Sequence, residues 1–439
     1  MPRHFTEETH SGSRKGFIVG AVVALALIGI VAGLAFVLAG SHLDAPDGNA
    51  EAPEQIVDEP AAEQVVDDPA AEQTPGLPFS LKGASLDASL IEASEVSRPA
   101  ELAGEWTFGG DYSQIGSLPI DGKTVFGSAT DNPDDLSSYR AALITADGVS
   151  YLEDSQAGET FFEPQDGSGN SDRLVWRSSE ITLVPSSGSD NWRVQTWDST
   201  SGRTVVLGSA LLLNGTSETP AIGGEVVPVC NDTQAFFSSC LSEGDGWSPA
   251  VVAFDLSEEE QRGEVIGTGN YPAAVEGGAL WASGQLDDGD GTLYGALSRW
   301  DGNESTEIFS VVSDEGVWGI SGVWAEGGHA AVGFSSVDGT SGCYIGIWSE
   351  DFSRCEALIH APSPSVVGSL NDRWFVWGAG SQAENADMYA LEISAGELLD
   401  LGSTSGYSRP CVAAEGDAVL VPHENGSSAV TFSVGELQV

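Results

Sequence analysis

Beyond residue 43 the chain holds three histidines, His329, His360 and His423. No HExxH, no G-x-S-x-G elbow and no Cys/His metal spacing accompanies them, so zinc hydrolysis and a serine triad lack their parts. The run DDGDGTLY places Asp287, Asp288 and Asp290 at alternating spacing suited to calcium. It lacks the third alternate ligand and the distal Glu of an EF-hand, so an acidic turn is expected and calcium is the only cofactor considered. Five aromatics, Tyr112, Phe162, Tyr271, Trp318 and Tyr407, each precede an apolar segment. Acid-rich loops follow those segments, with Asp131, Asp134, Asp135, Asp287, Asp288, Asp290 and Asp338 among them. Aromatics beside carboxylates suit a sugar, a cationic peptide or a metal-bridged ligand. The same rings serve equally well as seals of a core. Four Asn-x-Ser/Thr sequons start at Asn214, Asn231, Asn303 and Asn425, in turns where Asn is expected anyway.

These residues are positioned by a repeat. Apolar strands recur as KTVFGSA at Lys123, RLVWRSS at Arg173, QAFFSSC at Gln234 and GALWASG at Gly278. HAAVGFSS at His329, RWFVWGAG at Arg373 and DAVLVPHE at Asp417 continue the series. Each follows a turn such as IDGK, VEGG, AEGG, LNDR or AEGD, which is hairpin chemistry. Further strands follow, such as YRAALITADG and WRVQTWDSTSG, and closing strands such as TVVLGSA, GEVIGTG and TEIFSVV. Four antiparallel strands per unit, seven times over, predict an all-β, seven-bladed propeller of four-stranded antiparallel blades across residues 113–439. In such a ring the strand starts carrying the five aromatics converge at one end of the axis.

The first unit, LPIDGKTVFGSAT then YRAALITADGVSYL, resembles the WD40-like repeat of TolB-type propellers. The likeness lies in the Pro-x-Asp-Gly-Lys hairpin and the aspartate-glycine turn after the third strand. Trp197-Asp198 and Trp300-Asp301 stand where WD-repeat propellers carry their Trp-Asp pair. The Gly-His pair of true WD40 repeats is missing, and the hairpin motif degenerates after the first unit. The resemblance implies a fold, not an activity.

Ahead of the repeats, Gly16–Gly40 is 25 residues without a charge, long enough to span a bilayer. Arg3, Arg14 and Lys15 precede it and no Lys or Arg follows until Lys82. The positive-inside rule then makes 1–15 a short cytoplasmic tail, 16–40 a transmembrane helix and the remainder extracytoplasmic. A cleaved signal peptide is the rival, against which the length of the apolar run speaks. Residues 41–76 carry ten acids and no base around the repeats EQIVDEPAA and EQVVDDPAA, the composition of an extended, disordered stalk. Residues 77–112 read as a connector, with a short helix over 85–95.

The chain bears 66 acidic and 16 basic residues, a net charge of −50. Such a field repels nucleic acid and anionic lipid and favours cations. The expected role is a surface-displayed binding or scaffolding module for a protein, cationic peptide or glycan. A glycan-active enzyme with carboxylates in the axial mouth, or an envelope-assembly or sensor subunit, is the alternative. The cysteines, Cys230, Cys240, Cys343, Cys355 and Cys411, are odd in number. A hairpin turning at Glu350–Ser353 sets Cys343 opposite Ile359 and Cys355 opposite Ile347, too far apart for a bridge, so buried thiols are expected.

Overall fold

The computed structural model describes residues 76–439 apart from 154–160, 182–190, 218, 223–225, 245, 288–291, 314–315, 381–384, 406–408 and 425–429. The expected tail, membrane helix and nearly all of the stalk lie outside the described residues. No described helix is long and apolar enough to cross a membrane.

Strand formation begins in the expected connector, with β1 (Ser80–Lys82), β2 (Leu90–Glu92) and β3 (Glu101–Gly109). A meander follows of β4 (Gln114–Asp121), β5 (Thr124–Ala129), β6 (Arg140–Thr145) and β7 (Gly148–Tyr151). The second comprises β8 (Phe161–Gly169), β9 (Arg173–Ile181), β10 (Trp192–Asp198) and β11 (Arg203–Ser209). The third is β12 (Val229–Cys230), β13 (Gln234–Glu243), β14 (Gly246–Asp255) and β15 (Glu264–Thr268). Then come β16 (Asn270–Val275), β17 (Gly278–Gln285), β18 (Tyr294–Trp300) and β19 (Ser305–Val312). These are followed by β20 (Trp318–Glu326), β21 (His329–Ser336), β22 (Cys343–Ser349) and β23 (Cys355–Ala361). The chain finishes with β24 (Val366–Leu370), β25 (Trp374–Ala379), β26 (Asn385–Glu392) and β27 (Glu397–Ser405), then β28 (Cys411–Val412), β29 (Ala418–Glu424) and β30 (Val430–Gln438).

The arrangement is all-β and propeller-like, but seven separate four-stranded sheets are not what forms. Five sheets stand alone: β4–β7, β8–β11, β12–β15, β24–β27, and β28–β30 with β3. Strands β16 to β23 share one ten-stranded sheet with β1 and β2. Its two halves meet at a single pair, Tyr294 opposite Ile320. Gly319 permits that approach, since a Cβ there would lie 3.0 Å from the Tyr294 carbonyl.

Adjacent sheets share their cores, and these shared cores run in a closed cycle. Val175, Trp192 and Phe237 join the second sheet to the third, and Phe236, Trp281 and Trp300 carry the contact onward. Ile345, Ile359, Phe375 and Trp377 join the fifth group of four strands to the sixth, and Val376, Leu399, Val419 and Val421 join that to the last. Phe432 and Leu420 then pack with Phe126 and Trp176 of the first two sheets. The second strand of each group lies between two neighbours, which is why runs such as WFVWGA are buried along their whole length.

Two asparagines hold neighbouring hairpins together. Asn371 is fully buried; its amide donates to Ala413 and Gly416 carbonyls at 2.8 and 2.9 Å, and its Oδ1 accepts from the Arg373 and Trp374 amides. Asn231 does the same between the third and fourth groups, donating to Val275 and Gly278 carbonyls at 3.1 and 3.3 Å.

The segment before the first sheet is structural throughout. β1 pairs antiparallel with β19, and β2 pairs parallel with β23. Pro99 bridges to Asp400 beside β27. β3 then pairs with β30 from Glu101–Gln438 to Gly109–Thr431, joining the chain's end to its beginning and closing the last sheet. Residues 85–95, read as a short helix, instead give β2 and one 3-10 turn, Ala93–Glu95, because the free edge of β23 supplies hydrogen-bond partners.

All five cysteines are free thiols and four of them are buried. The register around two of them departs from expectation: Cys355 faces Trp348, and a bulge just beyond that pair sets Cys343 opposite Ala361.

Candidate functional site: the axial cavity

The first strands of the successive groups, β4, β8, β12, β16, β20, β24 and β28, all border one cavity of about 130 Å³. Leu118, Ser168, Cys230, Ala274, Glu326, Leu370 and Val412 represent the seven strands in its wall. Most of that wall is apolar or glycine. The polar side chains are those of Glu326, Arg409, Ser168, Ser369, Cys230, Cys411 and Tyr271, with the Trp324 indole.

Glu326 ends β20, just before the turn Gly327–Gly328. The residue is exposed, and neighbouring protein withdraws its carboxyl from water only in part. That desolvation, with Glu415, Asp372 and Glu350 nearby, raises its pKa to about 7, the Gly327 amide offsetting part of the rise. Cys230 borders the same cavity, its thiol pushed up to about 12 by burial and then by the Glu326 charge. A thiol so shifted stays protonated and is no nucleophile at neutral pH. Ser168 Oγ is buried beside Cys230 and makes no hydrogen bond of ordinary geometry with any described residue.

Arg409 borders the cavity and pairs with Asp166 at 3.4 Å, while Ser117 Oγ donates to the same carboxylate at 3.3 Å. Both Ser117 and Asp166 lie in β-bulges, one in β4 and one in β8. A bulge re-aims the side chains it carries, here bringing a hydroxyl and a carboxylate together from adjacent first strands.

The aromatics expected to ring the axis lie at the starts of first strands, but they are packed. Phe162 is 5% exposed, with the Arg193 guanidinium 3.6 Å from its ring centre. Tyr271 is 7% exposed; its hydroxyl donates to the Thr292 carbonyl at 2.9 Å and its ring meets Tyr294 edge-on. Trp318 is 5% exposed, stacked on Phe79 at 5.2 Å and tilted against Tyr344. Tyr112 is half-buried, and its carbonyl accepts from the Tyr139 hydroxyl at 2.7 Å. Tyr112 and Tyr271 both hold positive φ, 63° and 56°, a strained backbone that these hydrogen bonds help to hold. Of the four, only Tyr271 borders the cavity. Tyr407 lies outside the described residues.

Asp287 is exposed, and Asp288 and Asp290 fall outside the described residues. Among the described residues no three His, Cys, Asp or Glu side chains are grouped to hold a metal. Asp131 is engaged by Arg140 and the Tyr151 hydroxyl, and Asp338 caps its own turn through Ser336 and Thr340. Sequon residues Asn214 and Asn231 spend their amides on backbone carbonyls.

Sequence reasoning missed Glu326, Ser168 and Arg409. The turn AEGG carries Glu326, but VEGG and AEGD carry Glu at the same place, so the turn sequence does not single it out. Nothing in the local sequence marks the other two, since their placement depends on a bulge and on ring closure.

No family model matches the chain, and no curated protein is significantly similar to it in sequence. Solved structures similar to it include an oligogalacturonate lyase in complex with manganese, at 10% identity and a TM-score of 0.45 over 78% of this chain and 99% of that one. An uncharacterised protein from Listeria monocytogenes EGD-e is 8% identical with a TM-score of 0.44, over 76% and 91% of the two chains. TolB from Acinetobacter baumannii is 12% identical with a TM-score of 0.38, over 70% and 66%. The propeller-like fold of this chain rests on its own strand order.

Proposed function

We propose that this protein is a membrane-tethered, extracytoplasmic binding module that receives its ligand at the axial cavity of a seven-bladed propeller. The blade count treats β16–β19 and β20–β23 as two blades, since each runs as a four-strand meander and a single residue pair joins them. The tether is the uncharged run Gly16–Gly40, and the acidic stalk holds the domain away from the bilayer.

One observation carries the binding reading: strands from every group converge on an apolar cavity with a single carboxyl group, Glu326, among its described lining residues. A glycoside hydrolase needs two carboxyls about 5–10 Å apart in its mouth. An apolar wall with few polar groups is instead the usual make-up of a recognition pocket. The acidic surroundings favour a cationic protein or peptide over a nucleic acid.

The test is capture of surface partners by the full chain beside an Ala274→Phe variant, in which the new ring fills the cavity. Partners that depend on the cavity disappear from the variant while its melting temperature holds. An identical partner set on both proteins would remove the cavity from the function.

A further inference from the structure

We infer that the axial cavity takes one compact apolar side chain of a partner protein, presented by a basic segment whose Lys or Arg residues meet a ring of carboxylates at the cavity's end. This rests on the reading of the cavity as the binding site and specifies what enters it.

The ring follows from the strand order. Wherever a first strand turns into a second, an acid stands at the corner. Asp121, Asp172, Asp232, Glu276, Asp372 and Glu415 supply six and Glu326 the seventh, and all seven are exposed. Hydrogen bonds tie neighbouring corners together. Asn231 reaches Val275 and Gly278, Asn371 reaches Ala413 and Gly416, and His329 Nε2 lies 3.1 Å from the Asp372 carbonyl. The corners thus share one end of the axis. Of the bases beside them, Arg173 pairs with Asp198 at 3.0 Å and Arg373 with Asp417 at 2.8 Å, while Lys123 stands next to the Asp121 corner. Such an excess of exposed carboxylates draws a cationic partner. Glu326 belongs both to this ring and to the cavity wall, so the two adjoin.

The cavity sets what lies between the cations. At about 130 Å³ it is close to the roughly 150 Å³ of an apolar cavity that takes benzene, so it admits a side chain of about four to seven heavy atoms. Ala274, Val323, Leu370 and Val412 offer apolar wall, and Arg409 is matched by Asp166. Trp324 also borders the cavity and is only half-buried. Glycines make room for its ring: a Cβ at Gly322 would collide with the six-membered part, and one at Gly368 would lie 3.3 Å from Cε2. Phe375 packs against it at 5.6 Å between centres. A tryptophan held by packing yet partly open in a pocket wall is the kind of residue that anchors a partner's apolar side chain.

Calorimetry on the full chain in detergent tests this with acetyl-Lys-Lys-Leu-Lys-Lys-amide, its central-glycine counterpart, acetyl-Glu-Glu-Leu-Glu-Glu-amide and toluene. The basic leucine peptide binds, the glycine peptide binds at least tenfold more weakly, and the acidic peptide does not bind. Glu276→Gln, Glu326→Gln and Glu415→Gln combined weaken the leucine peptide at least fivefold. In protein labelled with 5-fluorotryptophan, the resonance missing from Trp324→Phe shifts with the leucine peptide and stays in place with the glycine peptide. Equal binding of the two basic peptides, with that resonance unmoved, overturns the inference and leaves charge attraction alone. Toluene bound where the leucine peptide is not assigns the cavity to a free apolar molecule and overturns it too. If in either case Ala274→Phe still abolishes partner capture, the cavity remains the site and only its occupant is wrong. If capture is also unchanged, the binding reading falls with it. Thermal melts of each variant confirm that the fold is retained.

Discussion

Replacing Glu163 by Gln should stabilise this protein at pH 8 and leave it nearly unchanged at pH 4.5. Glu163 lies in β8, and burial alone raises its pKa from 4.5 to about 7. The folded state therefore holds this proton more tightly than the unfolded chain does. Below pH 4.5 the carboxyl is protonated in both states and costs nothing; above pH 7 it is ionised in both, and the folded protein bears the full desolvation cost. Stability is lost as the pH climbs between those limits. At about 1.4 kcal/mol per pH unit, the rise corresponds to an upper bound of about 3 kcal/mol. Gln keeps the shape and cannot ionise, so the variant escapes that loss. Urea unfolding of the full chain and of Glu163→Gln at pH 4.5, 6 and 8 reads the difference directly. Other raised carboxyls, Glu326 among them, titrate in both proteins and cancel. A difference that stays constant across the three pH values would refute the reasoning, because it would show that no proton is linked to folding at this site.

Asn371→Ala breaks four hydrogen bonds of a fully buried clamp between two hairpins and should cost about 3 kcal/mol, seen as a lower urea midpoint. Phe79→Ala removes a ring, 2% exposed, that packs on Trp318 and Phe334; about 3–5 kcal/mol should be lost, although Phe79 precedes every four-stranded sheet. Trp318→Ala and Tyr271→Ala should cost about the same for the same reason, with thermal melting as the measurement; melts unchanged in both would return these rings to the list of ligand contacts. A thiol reagent should find five reactive groups after denaturation without reductant, and far fewer in the native protein, since the thiols are free and four are buried. A count of three or one after denaturation would show bridges that this fold does not contain.

Much of the fold was legible because it is local. The second strands announce themselves as apolar runs after Gly-, Asn- or Asp-bearing turns, and each forms where its pattern places it, from Thr124–Ala129 to Ala418–Glu424. Closure was not legible. β3 is separated from β30 by more than three hundred residues, and nothing in ELAGEWTFG names its partner. The short strands β1 and β2 are likewise specified by the edges of β19 and β23, not by their own propensity. The cysteine register slipped for a related reason: the bulge between Ile347 and Trp348 adds a residue to one strand that alternation alone does not reveal. The site was harder still. Aromatics at strand starts were visible, but whether a ring faces an axis or is packed away depends on the fold: Phe162 lies beneath Arg193 of its own sheet, and Trp318 stacks on Phe79. Glu326 gains its character only when β20 is set against the rest of the ring.

The central claim is that the axial cavity receives the ligand. The measurement closest to it is capture of surface partners by the full chain beside Ala274→Phe, with the thermal melt of each protein as the check on folding. The account predicts that partners are lost from the variant while its melting temperature holds. An identical partner set on both proteins would contradict it.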